Sequence, residues 1–139
     1  MAEAREQIAL EVENLKRILA ELPLTRPCAS LSVLELAGVA ALLHNFYNGI
    51  ENILRVAVKV RGLEVPTGSS WHRDLVNLAC AAGVLSEATV SSLRPYLAFR
   101  HFFSHGYAVQ LEAARLEPLL HEASLAFHAF QRDLNALQG

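Results

Sequence analysis

The feature that most constrains the fold is a long segment, residues 32–61, that contains no proline and no pair of adjacent glycines. It opens with Ser32-Val33-Leu34-Glu35, in which the Ser and Glu side chains are spaced to satisfy backbone N–H groups reciprocally in a capping box. A helix of about 30 residues is about 45 Å long. Because this exceeds what one small core requires, the segment predicts a helix that also presents a face to another helix or subunit.

Four further segments show the apolar periodicity and the end signals of helices. Pro95 is predicted to kink or split one of them, because it lacks a backbone N–H and clashes with the preceding turn. Pro118 is predicted in or before the first turn of the last helix, where proline is tolerated. We therefore predict an all-α, antiparallel bundle of about five helices in a single domain, residues 1–139. The four segments are residues 3–22, Trp71 to Gly83, Ser86 to Gly106, and about Ala114 onward.

Composition excludes several classes of protein. The chain has 139 residues, of which 53% are apolar and 19% charged, so it is neither disordered nor a charged tail. The apolar fraction predicts some surface left for a partner. The apolar run near residues 36–43 is bounded by Glu35 and His44 and is too short to cross a membrane. We expect a cytoplasmic protein, because no secretion signal opens the sequence and Cys28 and Cys80 have the pattern of reduced, buried thiols.

The charge distribution is uneven although the net charge is only −2. Residues 1–54 contain seven acidic and four basic residues, whereas residues 55–107 contain six basic and three acidic residues together with three histidines. This modestly positive middle is compatible with binding a phosphate backbone. A mixed, solvated surface explains the same distribution equally well.

The chemistry-bearing residues concentrate in one octapeptide, Arg100-His101-Phe102-Phe103-Ser104-His105-Gly106-Tyr107. An arginine holds a phosphate through its planar fork of donors, and a histidine transfers a proton near neutral pH. On a continuous helix, residues five apart point about 140° away from each other. Arg100 and His105 therefore meet at one substrate only if the helix ends near Gly106 or a second copy of the chain completes the site.

The spacing of one Arg and one His is weak evidence by itself, because other pairs exist. Arg94 with His101 and Arg115 with His121 have similar separations. The second of these has Pro118 between its members and lacks a following His-x-Tyr. The context of Arg100 therefore identifies it, with His105, as the candidate site.

A polar stripe follows the long helix at steps of three and four residues: His44, Asn48, Glu51, Arg55 and Lys59. Residues at these steps share one helical face. Two interpretations are open, a solvated face and a face that partly lines the site.

The motif Arg-polar-x₃-His-x-Tyr at residues 100–107, with Tyr47 to Leu54 and Trp71-His72, resembles HEPN-domain ribonuclease toxins, in particular their HepT branch. The resemblance extends from about residue 36 to residue 137. It implies a HEPN helical bundle that forms a homodimer, with the Arg/His pairs of both copies meeting at the interface. It also implies a metal-independent endoribonuclease of a toxin–antitoxin system, without a cofactor.

On this resemblance, Arg100 clamps the scissile phosphate of RNA and stabilises the charge of the transition state. His105 acts as general base on the 2′-OH or as general acid on the leaving 5′ oxygen. His101 helps to position the phosphate or the catalytic histidine. Charge complementarity suggests that Glu51 orients Arg100, with Asn48 as its neighbour on the same helical face. We assign no role to Ser104.

Tyr107 has a separate meaning in HepT-type systems, where a minimal nucleotidyltransferase antitoxin transfers AMP from ATP to the tyrosine of this motif. A charged nucleotide two residues from His105 is expected to exclude RNA by repulsion and by volume. The alternative is a tyrosine that packs against the end of a helix.

Other functions remain as alternatives. A non-catalytic HEPN-like module that binds a nucleotidyltransferase or a nucleotide is one, since fold does not determine function. A four-helix metal carrier is disfavoured by the lack of paired Glu and Glu-x-x-His patterns, and His121 and His128 have no suitable third ligand. We expect His72 to be structural rather than catalytic, with a position near the site left open. We expect Trp71 to be a core anchor rather than a base-stacking platform.

Overall fold

Five α-helices make up the part of the chain that the computed structural model describes, residues 2–104 and 112–138. No strand occurs in these ranges, so the prediction of an all-α bundle is confirmed. The helices are α1 (Ala2–Glu21), α2 (Val33–Val60), α3 (Trp71–Ala81), α4 (Glu87–Ser104) and α5 (Ala113–Gln138), with a short 3-10 turn at Cys28–Ser30.

The long helix α2 begins and ends as its sequence predicts. The backbone N–H of Glu35 donates to Ser32 Oγ at 3.1 Å, and the Glu35 carboxylate accepts from the backbone N–H of Ser32 at 2.9 Å. At the other end, Gly62 has φ +78°, and Leu63 N donates to Val58 O at 3.0 Å. Such a left-handed residue with backward backbone bonds is a common way for a helix to stop.

α2 lies at the centre of the bundle and contacts α1, α3, α4 and α5. Its contact with α1 is close at Gly49, where a Cβ atom would lie 2.6 Å from Cδ2 of the fully buried Leu15. The absence of a side chain at Gly49 therefore lets the two helices approach. Buried residues from all five helices form one contiguous core, whose α2 members include Val39, Leu43, Phe46, Tyr47, Ile50, Ile53, Leu54 and Val58.

Pro95 does not split α4, which continues through it to Ser104. Pro95 and Ser91, whose carbonyl loses its helical partner, are both exposed, so water can replace the missing hydrogen bond. Pro118 likewise lies inside α5, beyond the first turn in which it was expected. The buried Tyr96 hydroxyl donates to Leu119 O at 2.7 Å and links α4 to α5. Each of these two residues directly follows one of the prolines.

The two cysteines differ in their surroundings. Cys28 is buried, as expected, whereas Cys80 is partly exposed. Within residues 2–104 and 112–138, no helix combines the length and the apolar character that crossing a membrane requires.

Candidate functional site

A buried carboxylate forms the centre of the candidate site. The Glu51 side chain, on α2, is only 3% exposed. Its Oε2 lies 2.7 Å from Nδ1 of His72 on α3, and its Oε1 lies 3.6 Å from Nε of Arg100 on α4. Burying a carboxylate is costly unless it gains partners. Glu51 therefore links α2, α3 and α4. The sequence pattern had linked Glu51 with Arg100 but not with His72.

Arg100 is held at the inner edge of its guanidinium. Its Nε donates to Asn48 Oδ1 at 3.3 Å and faces Glu51. Asn48 in turn lies 3.4 Å, Nδ2 to Nδ1, from His44, whose ring packs 4.9 Å from that of Phe103. These contacts are made by Nε, whereas Nη1 and Nη2 form the planar fork through which a guanidinium holds an anion.

The imidazole of His72 is fixed on one face as well as at Nδ1. The Trp71 ring lies 3.5 Å from it between centroids, at an interplanar angle of 33°. The guanidinium carbon of Arg55 is 4.1 Å from the Trp71 ring centroid, within the range of a cation–π contact. Trp71 is partly buried and packs against the core, in agreement with its expected role as an anchor, and it also orients His72.

Glu51, His72, Arg100, Asn48 and His44 form what we call the Glu51 cluster. Burial and the guanidinium groups of Arg100 and Arg55 set the protonation states of its acid and its imidazoles. Burial raises the pKa of Glu51 to about 7, although the guanidinium groups of Arg100 and Arg55 act in the opposite direction. Burial, then Arg100, then Arg55 lower the pKa of His72 to about 4. Burial and Arg100 also lower the pKa of His44. The imidazoles of His72 and His44 are therefore neutral at pH 7, and the contact between His72 and Glu51 is a hydrogen bond rather than an ion pair.

The cluster opens into a groove of about 480 Å³ between α3 and α4. Among the described residues, three arginines and two histidines contribute to its wall and no acidic residue does, which favours a polyanion as occupant. A smaller groove of about 200 Å³ beside α1 and α5 is lined mainly by aliphatic residues and contains no histidine. The residues that line the larger groove are Ser69, Ser70, His72, Arg73, Arg94, Leu97, Ala98, Arg100 and His101.

The structure brings together several of the residues singled out in the sequence. Arg100 contacts both Asn48 and Glu51, and the exposed His101 lies in the wall of the groove. The polar stripe of α2 has two environments. His44, Asn48 and Glu51 belong to the site, whereas Lys59 is exposed to solvent. His105, Gly106 and Tyr107 lie outside the described residues, as does the side chain of Ser104.

His72, expected to be structural with a position near the site left open, lies in contact with Glu51. The available signal was the Trp71-His72 pair directly after a loop. In the described ranges, no group of three or more His, Cys, Asp or Glu residues has the arrangement of a metal site.

Residues 38–139 match a protein-family model described as HepT-like protein. The chain belongs to the HepT-like family. The resemblance read from the octapeptide is thus confirmed, and the HepT-like region contains every member of the Glu51 cluster. The family is of the HEPN type, with which the helical bundle agrees. No curated protein and no solved structure matches the chain.

Proposed function

We propose that this HepT-like protein is the toxin of a toxin–antitoxin system and a metal-independent endoribonuclease. The observation that carries the proposal is the setting of Arg100, whose Nε is fixed by Asn48 and Glu51 at the wall of a groove lined by cations. An anchored guanidinium of this kind is suited to hold a phosphodiester. RNA is the substrate that supplies both a polyanion and an internal nucleophile.

In the proposed reaction, the outer nitrogens of Arg100 bind the nonbridging oxygens of the scissile phosphate and stabilise its added negative charge. The 2′-oxygen forms a bond to phosphorus as the P–O5′ bond breaks. His105 takes the proton of the 2′-OH or gives a proton to O5′. The products are a 2′,3′-cyclic phosphate and a 5′-hydroxyl end. His101, in the groove wall, helps to position the phosphate.

The assembly belongs to the proposal as well. We propose a homodimer in which a second copy completes the site, because Arg100 and His105 are five residues apart and diverge on one helix. The contiguous core, to which α1 through α5 all contribute, supports a single domain over residues 1–139. A toxin that acts on cellular RNA is expected in the cytoplasm.

Control by an antitoxin is proposed at Tyr107. A nucleotidyltransferase partner would transfer AMP from ATP to the Tyr107 oxygen and release pyrophosphate. The added phosphate repels RNA, and the adenosine fills space near His105. This step concerns residues outside the described ranges, and the family membership supports it.

The test is cleavage of RNA in EDTA by wild type, Arg100→Ala and His105→Ala, with His128→Ala as a matched control. His128 is exposed on α5 and is not part of the groove wall. We expect cleavage by the wild type and the control only. Mass spectrometry first verifies that Tyr107 carries no AMP.

Equal inertness of all four unmodified proteins would overturn the ribonuclease. It would favour the alternative of a non-catalytic module that binds a nucleotidyltransferase or a nucleotide.

A further inference from the structure

We infer that His72, held by Glu51, is a second acid–base residue of this site and acts as the general base on the 2′-OH of RNA. The inference rests on the proposed ribonuclease function and assigns the remaining role, general acid, to His105.

The geometry around His72 is that of a working imidazole rather than of a buried structural one. Its Nδ1 is engaged by the buried Glu51 carboxylate at 2.7 Å, and Nε2 is the ring nitrogen that this contact leaves. The side chain is 20% exposed and forms part of the groove wall. A carboxylate at Nδ1 fixes the tautomer that carries the proton there, so that Nε2 presents a lone pair.

His72 is also located at the phosphate-binding residue. The same carboxylate that holds Nδ1 with Oε2 faces Nε of Arg100 with Oε1. A phosphate on the outer fork of Arg100 therefore lies in the groove that His72 lines. The Trp71 ring restricts rotation of the imidazole, and a general base must be held in this way at hydrogen-bonding distance from its proton.

The reaction itself requires two proton transfers at separate places. The attacking and leaving oxygens are roughly in line on opposite sides of phosphorus, so an imidazole beside O2′ is not beside O5′. In the proposed step, Nε2 of His72 takes the proton from the 2′-OH while the O2′–P bond forms. The P–O5′ bond breaks, and O5′ receives a proton from the His105 imidazolium.

The protonation state of His72 permits the role of base but does not itself assign it. Burial, with Arg100 and Arg55, lowers the pKa of His72. The imidazole is consequently neutral at pH 7 and free to accept a proton. Glu51 is a positioning residue in this scheme, because it acts through His72 and Arg100.

The test compares two RNA substrates, one natural and one with sulfur in place of the bridging 5′ oxygen. A thiol is far more acidic than an alcohol, so the sulfur leaves as thiolate without general acid. The informative variant is His72→Asn, whose amide can still donate to Glu51 but which has no counterpart of the His72 Nε2 atom. His72→Gln serves if His72→Asn does not fold, with folding checked by circular dichroism. His105→Ala is the comparison, and His128→Ala is the histidine control.

We expect His72→Asn to lose about 100-fold or more in cleavage rate on both substrates, within the range of general base catalysis. His105→Ala should be impaired on natural RNA and largely restored on the sulfur substrate. Cleavage by the His72 variants within about threefold of wild type would overturn the inference, as would restoration of their activity by sulfur. Either result leaves the ribonuclease intact. A wild type that cleaves neither substrate overturns the proposed function instead.

Discussion

Nδ1 of His72 lies 2.7 Å from Oε2 of Glu51, although the two residues stand 21 positions apart and on different helices. This contact joins α3 to the central helix α2. Since the other oxygen of Glu51 faces Arg100, a change of charge at Glu51 alters the electrostatic environment of both His72 and Arg100. Burial shifts the two pKa values in opposite directions, raising that of Glu51 and lowering that of His72.

Glu51 and His72 should give the stability of the protein opposite pH dependences. The pKa of Glu51 is raised from 4.5 to about 7, so its contribution to stability is complete below pH 4.5 and is lost as the pH rises through 7. The pKa of His72 is lowered from 6.5 to about 4, so its contribution is present above pH 6.5 and is lost as the pH falls through 4. Between pH 4.5 and 6.5 the two slopes oppose each other in the wild type, while Arg55 and Arg100 stay charged.

Single variants should reveal these slopes. In Glu51→Gln, the free energy of unfolding should rise with pH between 4.5 and 6.5. In His72→Asn it should fall over the same interval. Each slope is bounded by about 1.4 kcal/mol per pH unit for one proton. Urea titrations at four pH values measure both, relative to wild type. Slopes of the same sign in the two variants would contradict the assignment.

Arg100→Lys should fail to restore cleavage although it keeps the positive charge. Lysine has no planar fork and no equivalent of Nε, so it loses both the Asn48 contact and the bidentate grip on phosphate. We expect a decrease in cleavage rate of about 100- to 1,000-fold, comparable to removing one charge-stabilising donor. Arg132→Lys, at an exposed position on α5, is the control. Wild-type activity in Arg100→Lys would indicate that charge alone suffices.

Arg73 and Arg94 should contribute to RNA affinity without carrying the chemistry. Both line the groove beside Arg100, and Arg94 also donates to Asn77 Oδ1 at 3.3 Å. If each neutralises one phosphate, its change to Ala reduces the slope of log K against log salt by about 0.7 for single-stranded RNA. Fluorescence anisotropy with labelled RNA at five salt concentrations measures this slope. Arg132→Ala should leave it unchanged, and an unchanged slope in Arg94→Ala would exclude that residue from the binding surface.

Two glycines of α2 should respond to alanine in opposite directions. At Gly38, an added Cβ meets no atom within 4 Å, so Gly38→Ala should stabilise the protein by about 1 kcal/mol through helix propensity. At Gly49, the Cβ would lie 2.6 Å from Leu15 Cδ2 in the core, and Gly49→Ala should destabilise it by about 1–3 kcal/mol. Urea unfolding of both variants measures the difference. Stabilisation by both would mean that α1 yields easily to the added methyl group.

Local rules in the sequence predicted most of the helices and part of the site. The capping box and glycine end of α2 depend on neighbouring residues, and helical spacing with charge complementarity linked Glu51 to Arg100. The continuity of α4 could not be read locally, because it depends on solvent access around Pro95 and on packing to α5. Pairing His72 with Glu51 required the packing of α3 on α2, which the Trp71-His72 pair does not specify.

Leu15, which packs against Gly49 of α2, belongs to a helix outside the region of the family match. The family match begins at residue 38, so α1 lies outside it. Leu15 of α1 nevertheless packs against Gly49, which stands two residues before Glu51 on α2. The helix that packs against α2 beside Glu51 is therefore not part of the region that the family model describes. Substitutions in α1 can therefore change the stability of the protein without altering any residue of the matched region. A shortened chain cut at the family boundary would retain every residue of the Glu51 cluster and lose the helix that braces it.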